Sequence, residues 1–292
     1  MTPGARVGFD RDQGPSGWRA RDAAAVTQSG GMRLAGAHVV LTGATGSIGS
    51  RLAERMAGRG ARLTVTARSA DALDELAART GALAVPADLA DEGGPASLLT
   101  SAQDRHGPVD VLVHNAAVEV AGRLEDLDAD GLATAVALNV RAPLELTRLV
   151  LPGMRGRRRG HLVLVSSLAG VATFPGLTLY GATKAALTQA AAGLSLDLRG
   201  SGVGTTLVEI GPVSSTMMSR VRDHPPTAAA FTRAARLRVL RDLDPDEVAG
   251  AVVAAVEANR RHVRLPRRAA VLAATAGLPR AVVRTALVGI EG

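Results

Sequence analysis

Short apolar runs alternate with longer amphipathic ones along most of this chain, and few folds accept that rhythm. AHVVLTG (37–43), RLTVTAR (62–68), ALAVPAD (82–88), VDVLVHN (109–115), HLVLVSS (161–167) and VGTTLVEI (203–210) read as strands. Several are unbroken apolar runs, as strands covered on both faces must be. Helical stretches lie between them, among them 48–59, 70–80 and 132–154. Strands alternating with helices predict an α/β fold, a doubly wound parallel sheet of about seven strands with helices on both faces. HVRLP (262–266) supplies the seventh. The strands fit one domain over 32–268, without an internal linker or repeat.

Composition narrows the chemistry. Hydrophobic residues make up 47% of the 292 positions, enough for a sizeable core, with alanine, glycine and valine supplying much of it. Tight contacts between small side chains are therefore expected. The absence of cysteine excludes disulfides, thiolate metal sites and cysteine nucleophiles. The six histidines are scattered without metal-ligand spacing. A net charge of +7 permits attraction to anions and selects none. No aromatic residue stands beside the arginine run in MRGRRRG (154–160), so nucleic acid is not expected as a partner and a solvated loop is. No apolar run reaches the roughly 20 residues that span a bilayer. Residues 1–31 are polar, glycine-bearing and aperiodic, without the apolar core of a signal peptide. They are expected to be a disordered extension of a cytoplasmic protein.

The first strand runs directly into TGATGSIG (42–49) and then a helix. A glycine-rich turn between strand and helix lets backbone N–H groups and the helix N-terminus face an anion. Gly43, Thr45, Gly46, Ser47, Ile48 and Gly49 form that candidate cradle, and the βαβ unit around it favours a dinucleotide. Arg68 closes the second strand. An acidic residue there suits a free ribose, whereas an arginine suits a 2′-phosphate, so NADP(H) is favoured over NAD(H). Asp88 closes the third strand, with Leu89 beside it, where the carboxylate can accept from an adenine amino group. Asn115 and Ala116 close the fourth, at the carboxyl edge where ligands lie in open α/β sheets.

Tyr180 and Lys184 stand four residues apart in YGATK, after Ser167. On a helix such residues share a face, with Cβ atoms roughly 5–6 Å apart. An ammonium beside a phenol favours the phenolate, so Lys184 is expected to lower the pKa of Tyr180 and make it a proton donor and acceptor near neutral pH. Tyr180 is the only tyrosine in the chain.

Taken together, TGATGSIG, HNAA (114–117), Asn139 in ALNV, Ser167 in SSLAG, YGATK and GPVSSTMM (211–218) resemble the short-chain dehydrogenase/reductase family, in its branch of about 250-residue chains with a Rossmann-like fold. The resemblance covers roughly 34–260. It implies that Tyr180 is the acid/base and that Lys184 lowers its pKa and bonds the nicotinamide ribose. Ser167, rather than Ser166, matches the serine that bonds the substrate carbonyl, and Asn139 matches the asparagine that holds a water in the proton relay. Gly43, Ser47 and Gly49 occupy phosphate-loop positions. Asn115 and Ala116 match the segment that steadies the central sheet and lines the adenosine side. Pro212, Val213 and Thr216 lie where the family's chain wraps the nicotinamide carboxamide. A homodimer or homotetramer is implied, pairing through the helices that hold Asn139 and Tyr180. Three departures stand out. Ser47 replaces the middle glycine of the loop, HNAA replaces NNAG, and Gly211–Pro212 reverses the usual order.

The resulting expectation is an NADP(H)-dependent oxidoreductase acting on a carbonyl or secondary alcohol of an apolar small molecule. Residues 214–243 should form a lid, with Met217, Met218, Val221, Phe231 and Leu237 as pocket wall. Arg220, Arg222, Arg233 and Arg236 either face solvent or meet a phosphate-bearing substrate. Asp244 and Pro245 should cap and open a helix running to about Ala258. The amphipathic extension over 269–292, beside several arginines, packs on protein or touches an anionic membrane surface. Two further readings use the same residues: a dinucleotide-binding module without chemistry, and a membrane-peripheral reductase of lipids.

Overall fold

The computed structural model describes residues 30–215, 218–219, 221 and 223–270. Most of the N-terminal extension, most of the C-terminal one, and Thr216, Met217, Arg220 and Arg222 lie outside the described residues. The strands are β1 (His38–Thr42), β2 (Arg62–Thr66), β3 (Leu83–Ala84), β4 (Val111–His114), β5 (Gly160–Ser167), β6 (Val203–Ile210) and β7 (His262–Leu265). They form one seven-stranded sheet in the order β3-β2-β1-β4-β5-β6-β7. Every pairing is parallel. The chain reverses direction of winding between β1 and β4, which opens a crevice at their carboxyl ends.

β3 is much shorter than the expected 82–88, because Pro86 has no N–H for a ladder. Val85 and Ala87 still donate to Val65 and Ala67, so the strand's path continues past the proline to Asp88.

The helices are α1 (Ser47–Ala57), α2 (Ala70–Thr80), α3 (Gly94–His106), α4 (Ala129–Val136), α5 (Ala142–Gly156), α6 (Thr178–Asp197), α7 (Pro225–Arg236) and α8 (Pro245–Glu257). Strand residues alternate between two faces. Val39 and Leu41 of β1 pack with Leu52 and Met56 of α1 and Val252 of α8. Val40 between them packs on the opposite side with Leu146 of α5 and Leu187 of α6. The largest fully buried side chains are leucines and methionines, so small residues set the close contacts while leucine fills the layers. Asp244 caps α8 by accepting from the Asp246 N–H at 2.7 Å, with Pro245 inside the first turn as its fixed φ favours.

One expected helix is two. The stretch 132–154 is interrupted by a π-helical turn at Ala137–Arg141, and Asn139 sits in it. The arginine run is exposed, yet its guanidinium groups are not idle. Arg157 donates to Val109 O, Arg158 to Gly200 O and Arg159 to the Asp110 carboxylate at 2.9–3.0 Å. They tie the turn before β5 to neighbouring loops.

Candidate active site

The crevice holds a cavity of about 540 Å³ that runs from Arg68 and Asp88 past the glycine loop to Ser167, Tyr180 and Lys184. Local sequence explains its nucleotide end. Gly43 has φ +63°, and a Cβ there would lie 2.7 Å from Ala116 Cα. A Cβ on Gly49 would lie 2.1 Å from Gly43 O, so only glycine lets α1 start this close to β1. Gly46 is the N-cap, and α1 carries no side-chain cap and no acidic residue in its first turn. The first N–H groups of a helix have no intrahelical acceptor, so these point at the cavity free for an anion. Ser47 is the first residue of α1 and is exposed, and Thr45 and Ile48 line the same wall.

Asn115 holds the loop to the sheet. Its Nδ2 donates to Thr42 O at 3.1 Å and Gly43 O at 3.0 Å. Thr42 Oγ1 accepts from the N–H groups of Asn115 and Ala116 at 3.0 Å each. Arg68 is exposed at the cavity rim with no hydrogen bond or ion pair to another described residue. Asp88 is exposed and its Oδ1 accepts from the Ala90 N–H at 2.8 Å, while Leu89 is buried behind it. Pro212 and Val213 line the far wall, and Val213 is pinned by a bridge to Leu243. A tight glycine cradle, helix N–H groups open to the cavity and an arginine at its rim fit a nicotinamide dinucleotide.

β5 and α6 assemble the other end. Ser166 is buried and bonds Lys184 O at 3.0 Å and Thr188 Oγ1 at 2.8 Å, so it is structural. Ser167 faces the cavity, its Oγ accepting from the Ala169 N–H at 3.1 Å. Gly170 lets the following turn touch α6, since a Cβ there would meet the Lys184 carbonyl carbon at 2.8 Å. That contact brings Ser167 against Tyr180. Lys184 is buried and donates to Val165 O at 3.0 Å, with its Nζ 5.7 Å from the centre of the Tyr180 ring.

Asn139 is buried, and its side chain is fully engaged. Oδ1 accepts from the Val118 N–H at 2.9 Å, and Nδ2 donates to Val118 O at 2.8 Å and Thr183 Oγ1 at 3.1 Å. The amide therefore clamps the chain leaving β4 onto α6. His114, the first residue of HNAA, is buried and bonds Thr147 Oγ1 at 2.8 Å through Nε2. Burial pushes its pKa down to about 3, so it is neutral and ties β4 to α5.

The electrostatics correct one sequence expectation. Lys184 does not dominate Tyr180. Burial raises the tyrosine pKa, the charge of Glu119 raises it further, and only the Ser167 hydroxyl opposes them. Tyr180 thus holds its proton firmly. Burial lowers Lys184 to about 8, against the pull of Glu119. Glu119 lines the cavity and was not singled out by motif or spacing, although a charged residue just past the carboxyl end of a central strand is itself a signal. Burial raises its pKa to about 7.

The lid closes the cavity with apolar side chains. Phe174, Leu177, Val221 and Leu240 form a cluster with Met218 and Phe231 against it, the rings of Phe174 and Phe231 being 5.1 Å apart. Leu237 is 68% exposed and takes no part, because it caps the end of α7 on the outer side. Arg233 and Arg236 are also exposed on α7 and do not line the cavity.

This sheet, with its ligand crevice at the β1/β4 reversal, defines a dinucleotide-binding α/β protein. The short chain dehydrogenase family model matches residues 37–226. Ketoacyl reductase HetN of Nostoc sp. is 32% identical over 229 residues, covering 77% of this chain and 76% of that protein. A short-chain dehydrogenase from Sphingobium yanoikuyae in complex with NADPH superposes with a TM-score of 0.71 at 26% identity, covering 88% of this chain and 98% of that one. A family member from Burkholderia phymatum in complex with NAD gives 0.73 at 25% identity, covering 87% and 96%. The chain belongs to the short-chain dehydrogenase/reductase family and is an NAD(P)-dependent oxidoreductase.

Proposed function

We propose that the protein interconverts a ketone and a secondary alcohol on an apolar small molecule, using NADP(H) in preference to NAD(H), with Tyr180 as acid and base. The observation that carries this reading is the protonated Tyr180, flanked by Ser167, at the apolar end of the cavity whose other end holds Arg68 and the α1 N-terminus. The nicotinamide, when bound, supplies or accepts the hydride.

The remaining chemistry belongs to side chains of this chain. A carbonyl that gains hydride develops negative charge on its oxygen. Ser167 and Tyr180 donate hydrogen bonds to that oxygen, and both bonds strengthen as the charge grows, which stabilises the transition state more than the ground state. Tyr180 then passes its proton to the oxygen. The Lys184 ammonium, held near the ring by its bond to Val165, stabilises the phenolate that remains. Oxidation of an alcohol uses the same groups in reverse. Phe174, Leu177 and Phe231 exclude water and favour an apolar substrate body.

Titration of NADPH fluorescence and steady-state assay on a ketone panel test this together. Tyr180→Phe should lose about 10²- to 10⁴-fold in kcat while NADPH affinity changes less than about twofold. Arg68→Ala should weaken NADPH by about tenfold and leave NADH nearly unaffected. Equal turnover by wild type and Tyr180→Phe would refute the catalytic assignment. Equal binding of the two cofactors by wild type would refute the preference.

A further inference from the structure

Glu119 has no role in the reaction described above, yet it lies in the same cavity as Tyr180 and Lys184. Its position is built, not accidental. The chain leaving β4 is held on both sides of it: Asn139 clamps Val118 through N–H and C=O, and the Gly122 N–H donates to Gly176 O at 2.9 Å. Glu119 is thereby presented to the reacting end of the cavity, where its charge is felt by both Tyr180 and Lys184.

The carboxyl has no hydrogen bond or ion pair to another described residue. Lys184, the nearby cation, gives its bond to Val165 O instead. A half-buried carboxylate left in this state is desolvated with no hydrogen bond in return, and only the charge of Lys184 offsets part of that cost. Phe174, Leu177, Met218 and Phe231 of the apolar cluster line the same cavity, as do Ser167 and Tyr180. An ionised carboxylate accepts hydrogen bonds and donates none. For the ionised form the missing partner is a donor, and Glu119 lines the cavity that would take the substrate.

We propose that Glu119 is a specificity-determining residue that selects ketones and alcohols carrying a hydrogen-bond donor, a hydroxyl or an ammonium, next to the reacting carbon. The proposal rests on the reductase reading above and names its substrate class. An apolar lid and a single carboxylate together accept an apolar body with one polar donor beside the carbonyl. A plain ketone of the same shape leaves the carboxylate desolvated and unbonded, so it is rejected by more than the loss of one contact.

Three ketones of nearly equal size test this with the full-length protein and NADPH: phenacyl alcohol, phenacylamine and propiophenone, which place a hydroxyl, an ammonium and a methyl at the same position. Wild type should favour at least one of the first two over propiophenone by about tenfold or more in kcat/KM, as expected for a bond to a charged group. Glu119→Ala should bring that ratio to within about twofold. Glu119→Gln, which keeps an acceptor oxygen without the charge, should keep part of a hydroxyl preference and lose an ammonium preference. A purely structural role would lower all three rates together and leave the ratio in place, which overturns the proposal, as does a wild-type ratio near one. Calorimetric binding of the same ketones to the NADP⁺-loaded protein reads the same ratio without turnover. Loss of rate with the binding ratio intact therefore counts against the catalytic reading alone, and a flat binding ratio counts against Glu119.

Discussion

Glu119 brings a titrating carboxyl into the company of Lys184 and Tyr180, and that arrangement has a consequence for stability. Its folded pKa, about 7, lies above the value of 4.5 for a free glutamate. Between those two values the folded protein holds more protons than the unfolded chain, so this group's contribution to stability falls as pH rises. Lys184 on α6 is the cation that faces it and Tyr180 is neutral in the same window. Glu119→Gln should therefore gain on wild type as pH rises from 5 to 7, by about 1 kcal/mol after allowance for solvent in the cavity. Thermal melts at a series of pH values measure this, and a constant difference between the two proteins would contradict it. Motif spacing already marks most of the side chains that line the cavity. Ser167, Tyr180 and Lys184 all reach one cavity end, and Arg68 reaches the other. Protonation was not legible, because burial and Glu119 decide the state of Tyr180, and neither appears in the spacing of YGATK.

At the scale of elements, the site depends on how closely the turn after β5 approaches α6. Gly170 is the point of contact, where a side chain would overlap the backbone of Lys184. Gly170→Ala should push α6 away, cost about 1–3 kcal/mol of stability and reduce kcat by at least about tenfold as Ser167 and Tyr180 separate. Denaturant unfolding and steady-state kinetics check both parts, and a variant as active and stable as wild type would show that the turn yields freely. The break at Ala137–Arg141 is a second such device. An amphipathic pattern runs through 132–154 without a proline before Pro143, so the sequence reads as one helix. The π turn appears only when Asn139 is drawn inward to bond Val118 and Thr183, a tertiary demand that overrides local propensity. Helix starts with their own chemistry, such as Asp244–Pro245, were readable because the cap lies within the segment it caps.

For the whole molecule, the sheet order leaves α4, α5 and α6 with apolar residues facing out. Leu132 and Val136 on α4, Leu144 on α5 and Leu196 on α6 are 41%, 42%, 42% and 56% exposed. We propose that this surface pairs with a second copy, as the family resemblance implied. Light scattering should then give twice the mass of a single chain, and Val136→Glu with Leu144→Glu should reduce it to one. A wild-type protein that elutes as a monomer at micromolar concentration would remove the proposal. Among the described residues no helix is long and apolar enough to cross a membrane.

The sequence by itself determined the α/β class, six of the seven strands to within a few residues, and the chain positions of the nucleotide loop and the tyrosine–lysine pair. Each of these is written in local periodicity or in spacings of a few residues, where one segment's own hydrogen bonds and side-chain faces are enough. Only the tertiary structure decided that Glu119 shares a cavity with Tyr180 and Lys184, that burial favours the protonated form of Tyr180, and that Asn139 clamps Val118 onto α6. Those outcomes depend on burial and on charges brought together from β4 and α6, distances that exist only once the sheet has closed around them.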